Sequence, residues 1–317
     1  MKKILSINLT LVLLVLCSCA PQENKDTRFL LDTVVTLTAS CDSDTLDGAF
    51  ELCEKYENLL SRTKENSDIY KLNASTGFIE VDTHTANIIR QAIYFGDLSG
   101  GKFDITIYPV SSLWDFNNEI IPSRDEIAEA LKNIDYQSIE INGNKVNLNG
   151  KKIDLGGIAK GYIADRLLEY FKENDVNEGI IDLGGNLVVF GDRDYTVGIK
   201  QPFSDAEYAA KLKLKNKTVV TSGTYERYIP ADLKLYHHIL DTKTGYACES
   251  DLCSATIISN SSMNADALST ICILLGLNAA TQLIENTPDT EAVFIDNDNN
   301  LHLTSGLAIN NGEITLK

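Results

Sequence analysis

The chain has 317 residues, 44% of them hydrophobic and 23% charged, with a formal net charge of −17. That length supports a sizeable buried core, and that charge excludes nucleic acid as a partner, because nothing here would neutralise a phosphate backbone. If such an acidic chain binds a phosphate-bearing ligand, it needs local positive charge from a helix end, a lysine or a metal.

Lys2 and Lys3 open the chain, an apolar stretch runs from Ile4 to Leu16, and Leu16-Cys17-Ser18-Cys19 follows. The stretch is too short to span a bilayer, so residues 1–18 read as a lipoprotein signal peptide. Small Ser18 precedes Cys19 whereas bulky Leu16 precedes Cys17, which makes Cys19 the better lipidation site. The alternative is an ordinary secretory signal with incidental cysteines. Residues 19–28 form the lipidated N-terminus and a polar tether, and 29–317 the folded domain. Acyl chains on Cys19 would anchor the protein to a membrane without crossing it.

Phe29 to Ala39, rich in valine and threonine, predicts a strand. Leu46 to Leu60 places Ala49, Leu52, Cys53, Tyr56, Leu59 and Leu60 on one helical face. Thr85 to Leu98 repeats the pattern until Gly100-Gly101 stops it. Ser123-Arg124-Asp125-Glu126 is a capping box that opens a short helix with Ile127, Ala130, Leu131 and Ile134 inward. Asn-Gly pairs at 142–143 and 149–150 punctuate short strands.

Lys151 to Leu155 alternates as a strand would. It leads into Asp154-Leu155-Gly156-Gly157-Ile158-Ala159-Lys160-Gly161-Tyr162, a Gly-Gly turn at the start of a helix over Ile158 to Asn174. Free amides and the positive dipole end at such a junction suit an anion, and Lys160 adds charge one turn in. Glu178 to Phe190 predicts a strand interrupted by Gly184-Gly185-Asn186, and strands dominate as far as Ile258. Asn264 to Leu277 is helical, a second short helix follows, and Glu291 to Leu303 predicts a terminal hairpin around Asp298-Asn299-Asn300. The result is one mixed α+β unit, with a division into two intimate subdomains left open.

Five cysteines remain beyond the anchor: Cys41, Cys53, Cys248, Cys253 and Cys272. Their irregular spacing makes neither a disulfide framework nor a zinc site, although a Cys248–Cys253 pair stays open. Asp266 and Thr270, four residues apart on a helix, share a face where a carboxylate and a hydroxyl can reach one hard cation. A first-turn acid beside a buried threonine would give the same spacing. His237-His238 on a strand point to opposite faces, so one at most faces a cleft, where it is a candidate base. Thr221-Ser222-Gly223-Thr224-Tyr225-Glu226-Arg227-Tyr228 gathers hydroxyls, a glycine and an arginine in one turn.

These segments, with Phe103-Asp104-Ile105-Thr106 and Pro109, Thr244-Gly245 and Ala265-Asp266-Ala267, occur in an order that strongly resembles the ApbE-type FAD:protein FMN transferases, many of them bacterial lipoproteins. The resemblance runs from about Phe29 to the C-terminus. It implies a T-fold-like α+β architecture; the signal segment and Cys19 add the expectation of an extracytoplasmic, lipid-anchored address on a bacterial membrane. The implied reaction is Mg²⁺-dependent, moving FMN from its substrate FAD onto a Thr or Ser of a membrane-bound or secreted flavoprotein and releasing AMP. Carried over by motif, Asp266, Thr270 and the Gly157 carbonyl would hold the metal. Asp154, Lys160, Leu240, Ser222 and the Lys102-Phe103-Asp104 stretch would contact FAD, and His238, with metal-bound Asp266, would serve catalysis. Leu31 stands where many members have methionine near the flavin, Thr63 where tyrosine is frequent, and Thr242 where proline follows Asp241. A hydrolase splitting FAD to FMN and AMP, or a non-catalytic FAD-binding lipoprotein, are the alternatives.

Overall fold

The computed structural model describes residues 23–204, 208–231 and 234–317. Cys17, Cys19 and the signal segment lie outside the described residues. In chain order come β1 (Glu23–Leu30), β2 (Thr33–Ser40), α1 (Ser43–Leu60), α2 (Asp68–Ala74), β3 (Ile79–Glu80) and α3 (Thr83–Leu98). Next are α4 (Tyr108–Ser111), α5 (Arg124–Leu131), β4 (Glu140–Asn142), β5 (Lys145–Asn147), α6 (Ala159–Glu173), β6 (Gly179–Asp182) and β7 (Asn186–Phe190). The chain continues through β8 (Tyr195–Ile199), β9 (Ala210–Leu214), β10 (Lys217–Gly223), β11 (Tyr228–Ala231), β12 (Lys234–His237) and β13 (Leu252–Ser259). It ends with α7 (Ser262–Leu275), α8 (Leu277–Glu285), β14 (Glu291–Asp296), β15 (Leu301–Leu303), β16 (Leu307–Asn310) and β17 (Glu313–Leu316).

Eight antiparallel strands form the main sheet in the order β1-β2-β6-β7-β10-β13-β14-β15. One face carries the helices. Phe50 and Cys53 of α1, Ile88 and Ile89 of α3, Leu167 and Phe171 of α6 and Ile271 and Cys272 of α7 share a core with Leu37, Ile181 and Ile257 of the sheet. A four-stranded mixed sheet, β16-β17-β9-β8, covers part of the other face, where Leu212, Leu214 and Ile314 meet Val189, Val219 and Ile258. β13, covered on both sides, is buried at every residue. The fold is α+β. A smaller apolar cluster around Trp114, with Val110, Ile127, Ile229 and Leu240, stands apart from these cores.

The helices and the Ser123–Glu126 capping box form where the periodicity places them. Four local expectations are corrected. The tether expected to run to Arg28 does not: Glu23 to Arg28 pair with β2 as part of β1, so the main sheet begins before Phe29. The single strand expected over Phe29 to Ala39 is a hairpin: Leu31 and Asp32 both sit at φ 56° and reverse the chain, bringing Phe29 opposite Val34. Glu57 Oε1 accepts the Leu31 amide at 3.1 Å, which supports a conformation that side-chain-bearing residues seldom adopt. Lys151 to Leu155 joins no sheet. There Asn73 bonds both backbone groups of Ile153, at 2.7 Å and 2.9 Å, and the Asp154 amide donates to Ile105 O. The Glu291–Leu303 hairpin exists but is not terminal, since β16 and β17 follow and complete the smaller sheet. The open question about Cys248 and Cys253 closes: both are buried free thiols.

Candidate active site

Helices α6 and α7 cross at Gly161. A Cβ there would stand 2.3 Å from Ser262 O and 2.7 Å from both the Met263 Cα and the Asp266 Cβ, so only glycine allows this approach. Each helix then caps the other. Asp266 Oδ2 accepts the Gly161 amide at 2.8 Å. Asp165, one turn on, accepts from the Ser262 and Met263 amides and the Ser261 hydroxyl at 2.7–3.1 Å.

A cleft of about 960 Å³ opens above this crossing. Its walls bring together most of the expected site: Lys102, Phe103 and Asp104; Asp154, Gly157 and Lys160; Ser222, His238 and Leu240; Asp266 and Thr270. Leu31 and Thr63 are not brought there. Leu31 occupies the β1–β2 turn, and the Thr63 hydroxyl lies 3.1 Å from Ser61 Oγ.

The turn before α6 offers fewer free amides than its glycines suggest. Gly156 N–H goes to Asp154 Oδ1 at 2.8 Å, those of Ile158 and Ala159 to Leu155 O, and that of Gly161 to Asp266. Among the described residues, the Gly157 and Lys160 amides make no hydrogen bond. Lys160 Nζ reaches the Gly184 carbonyl at 3.4 Å, tying the helix start to the glycine turn between β6 and β7.

The oxygens expected to hold a metal fit one. Gly157 precedes the N-cap Ile158, and with the Gly161 amide on Asp266 its carbonyl accepts no hydrogen bond among the described residues. A Cβ on Gly157 would lie 3.8 Å from Thr270 Oγ1, so the glycine and the threonine are neighbours. Asp266 keeps one carboxylate oxygen without a hydrogen bond among the described residues. Burial pushes its carboxyl up, against the opposing pull of Lys160 and of the Gly161 amide. A carboxylate, a hydroxyl and a backbone carbonyl form an all-oxygen set that suits Mg²⁺. Among the described residues there is no cluster of three or more His, Cys, Asp or Glu that could hold a metal. Ser222 Oγ sits 2.7 Å from Ser269 Oγ and 3.3 Å from Thr270 Oγ1, steadying the threonine.

The two histidines divide as expected. His237, buried, faces the Cys248 carbonyl at 3.2 Å, and His238 faces the cleft. His238 Nδ1 lies 3.3 Å from the Arg227 carbonyl, a group that only accepts, so the neutral ring carries its proton on Nδ1 and keeps Nε2 as a base. Burial, with Arg227 beside it, holds this imidazole down at about 4. Asp104 faces inward. Its carboxylate accepts the Thr106 amide and hydroxyl at 2.7 Å and 2.6 Å and the Tyr136 amide at 3.3 Å, and burial pushes it up. Thr242 donates to Gly101 O at 2.9 Å, and Asp241 closes its turn through the Lys243 and Thr244 amides. Thr242, where proline is usual, thus ties its turn to Gly101 and also lines the cleft.

Sequence reasoning passed over Arg62 and Asp165. Arg62 lines the cleft and pairs with Asp154. An arginine directly after a helix in so acidic a chain is the one signal that singles it out. Asp165, four residues after Gly161, could be found by asking which acid caps α7.

The ApbE family profile matches residues 31–294. An FAD:protein FMN transferase of Klebsiella pneumoniae (strain 342) is 32% identical over 81% of this chain and 83% of its own length. One of Treponema pallidum (strain Nichols) is 29% identical over 83% of this chain and 80% of its own length. Among solved structures, the ApbE protein of Thermotoga maritima superposes with a TM-score of 0.82 at 31% identity, covering 90% of this chain and 97% of that one. The apo flavinyl transferase ApbE of Pseudomonas stutzeri, at 22% identity and a TM-score of 0.79, shares the fold over 90% of this chain and 95% of its own.

Proposed function

The chain belongs to the ApbE family, and from that premise we propose that it is an FAD:protein FMN transferase that works with Mg²⁺. The observation that carries the metal part is the Gly157 carbonyl, without a hydrogen bond among the described residues, on a glycine that neighbours Thr270, with Asp266 one turn before Thr270 on α7. FAD enters with its diphosphate toward Lys160 and the start of α6, where the lysine and the two unbonded amides supply local positive charge to an acidic protein. An acceptor Thr or Ser hydroxyl attacks the FMN-side phosphorus. The new P–O bond forms as the bond to the AMP phosphate oxygen breaks, and AMP leaves. His238 Nε2 takes the hydroxyl proton, and the Arg227 carbonyl holds the ring in the tautomer that permits it. Gly157, Asp266 and Thr270 would hold the Mg²⁺, which would supply charge neutralisation of the diphosphate and of the departing AMP.

The proposed address is extracytoplasmic, through lipid on Cys19, which suits membrane-bound or secreted flavoprotein acceptors. Cys19→Ala, with Cys17 intact, should move the protein from the membrane fraction to the soluble one; unchanged retention would refute lipidation at Cys19. The reaction is tested by incubating the protein with FAD, Mg²⁺ and a candidate acceptor and reading flavin fluorescence on a denaturing gel. Fluorescence migrating with the acceptor, abolished by EDTA, is expected. Free FMN and AMP produced at one rate with or without acceptor would make the protein a hydrolase instead.

A further inference from the structure

Arg62 is a cleft cation with no part in the chemistry described so far. The segment that carries it is fixed just beyond α1. The Ser61 amide donates to Glu57 O at 3.0 Å, Ser61 Oγ accepts from the Thr63 and Lys64 amides at 3.2 Å and 3.3 Å, and Lys64 Nζ pairs with Glu57 at 2.7 Å. From this base the guanidinium lies 5.1 Å over the Tyr108 ring, and its Nε meets Asp154 Oδ2 at 3.2 Å.

Asp154 passes the constraint on. Its other oxygen, Oδ1, accepts the Gly156 amide at 2.8 Å, and its own amide donates to Ile105 O at 2.8 Å. A Cβ on Gly156 would come within 3.2 Å of that same Oδ1, so the carboxylate sits tightly inside the turn. The next residue is Gly157, whose carbonyl stands free of the helix. Arg62 and Asp154 are 42% and 24% exposed, and an ion pair that open adds little to stability. Its value is directional: a guanidinium held over a ring and bonded through Nε has less freedom than a free one.

We propose that Arg62 is a positioning residue for the divalent cation: through Asp154 it fixes the Gly156–Gly157 turn that presents the Gly157 carbonyl beside Thr270 and Asp266. This rests on the metal reading above. Partners that orient metal ligands from behind characteristically change metal affinity about 10- to 100-fold when removed.

The test is Mn²⁺ binding to the purified, FAD-free protein, read from the electron paramagnetic resonance of free Mn²⁺, with melting in EDTA as the check on folding. Arg62→Ala should weaken Mn²⁺ binding roughly 10-fold without lowering the EDTA melting temperature. Asp154→Asn should do the same, and Arg62→Lys should recover part of the loss. The double variant should bind no more weakly than the worse single variant, because the two residues act in series. Unchanged Mn²⁺ affinity in Arg62→Ala, or losses that add in the double variant, would overturn the proposal while leaving the metal site standing. A loss confined to FAD affinity measured without metal would also overturn it, making Arg62 a direct flavin contact. If the wild type itself takes up no Mn²⁺, the metal reading fails and this proposal with it.

Discussion

Asp266 on α7 takes the amide hydrogen of Gly161 on α6 at 2.8 Å, and that bond joins the scaffold to the chemistry. It caps one helix with the other and fixes one oxygen of a buried carboxylate. The helix crossing and the proposed metal-ligand set therefore share Asp266.

Gly161→Ala tests the crossing. Its methyl group would overlap Ser262 O and the Asp266 Cβ, and the helices must separate, at a cost of about 1–3 kcal/mol. Thermal melting should show that loss in EDTA, and Mg²⁺ should no longer raise the melting temperature. A variant that melts like the wild type and still responds to Mg²⁺ would contradict the geometry.

Asp266→Asn separates charge from shape. The amide oxygen can still accept from Gly161, but the buried charge is gone. Because burial raises the Asp266 carboxyl above its unfolded value of 3.8, the folded state holds that proton more tightly than the unfolded chain does. Its contribution to stability is greatest below the unfolded value and falls as pH rises through the raised folded value. At neutral pH in EDTA the Asn variant should therefore melt at or above the wild type, while turnover falls roughly 100-fold or more for want of a ligand. Mg²⁺ should stabilise the wild type alone; equal stabilisation of both proteins would move the site elsewhere.

His238 gives a pH signature. A base held at about 4 is unprotonated through the neutral range, so kcat/KM should fall only as pH drops through about 4, not near 6.5. His238→Ala should lose that limb and slow transfer by roughly 10²- to 10⁴-fold. An acid limb that persists in the alanine variant would assign it to another group.

Lys160→Met removes the charge at the start of α6 with little change of volume. Losing a charge-assisted contact to the diphosphate should raise the KM for FAD roughly 10- to 100-fold. An unchanged KM would mean the diphosphate lies away from this helix end.

Helices were the most legible part of this chain, because a 3.6-residue pattern on a half-buried face identifies itself, as at Leu46 to Leu60 and in the Ser123–Glu126 box. The β1–β2 reversal was hidden because Leu31-Asp32 lacks the glycine that normally marks such a turn; a glutamate on α1 supports it instead. Lys151 to Leu155 alternates like a strand, yet Asn73 takes both backbone groups of Ile153 and Ile105 the Asp154 amide, partners remote in sequence. The α6–α7 site was visible as motifs, since glycine spacing and the Asp266/Thr270 interval are local. Its supporting residues were not: Arg62 and Asp165 act on partners far along the chain, and only the packed fold brings them together.

The most direct measurement weighs the acceptor. The protein is incubated with FAD, Mg²⁺ and an acceptor flavoprotein lacking flavin, and the acceptor's intact mass, the modified residue and the AMP released are all determined. The account predicts an acceptor heavier by one FMN, joined through phosphate to a Thr or Ser, with one AMP for each FMN transferred and neither product in EDTA. An acceptor of unchanged mass, with FMN and AMP accumulating free in solution, would contradict it.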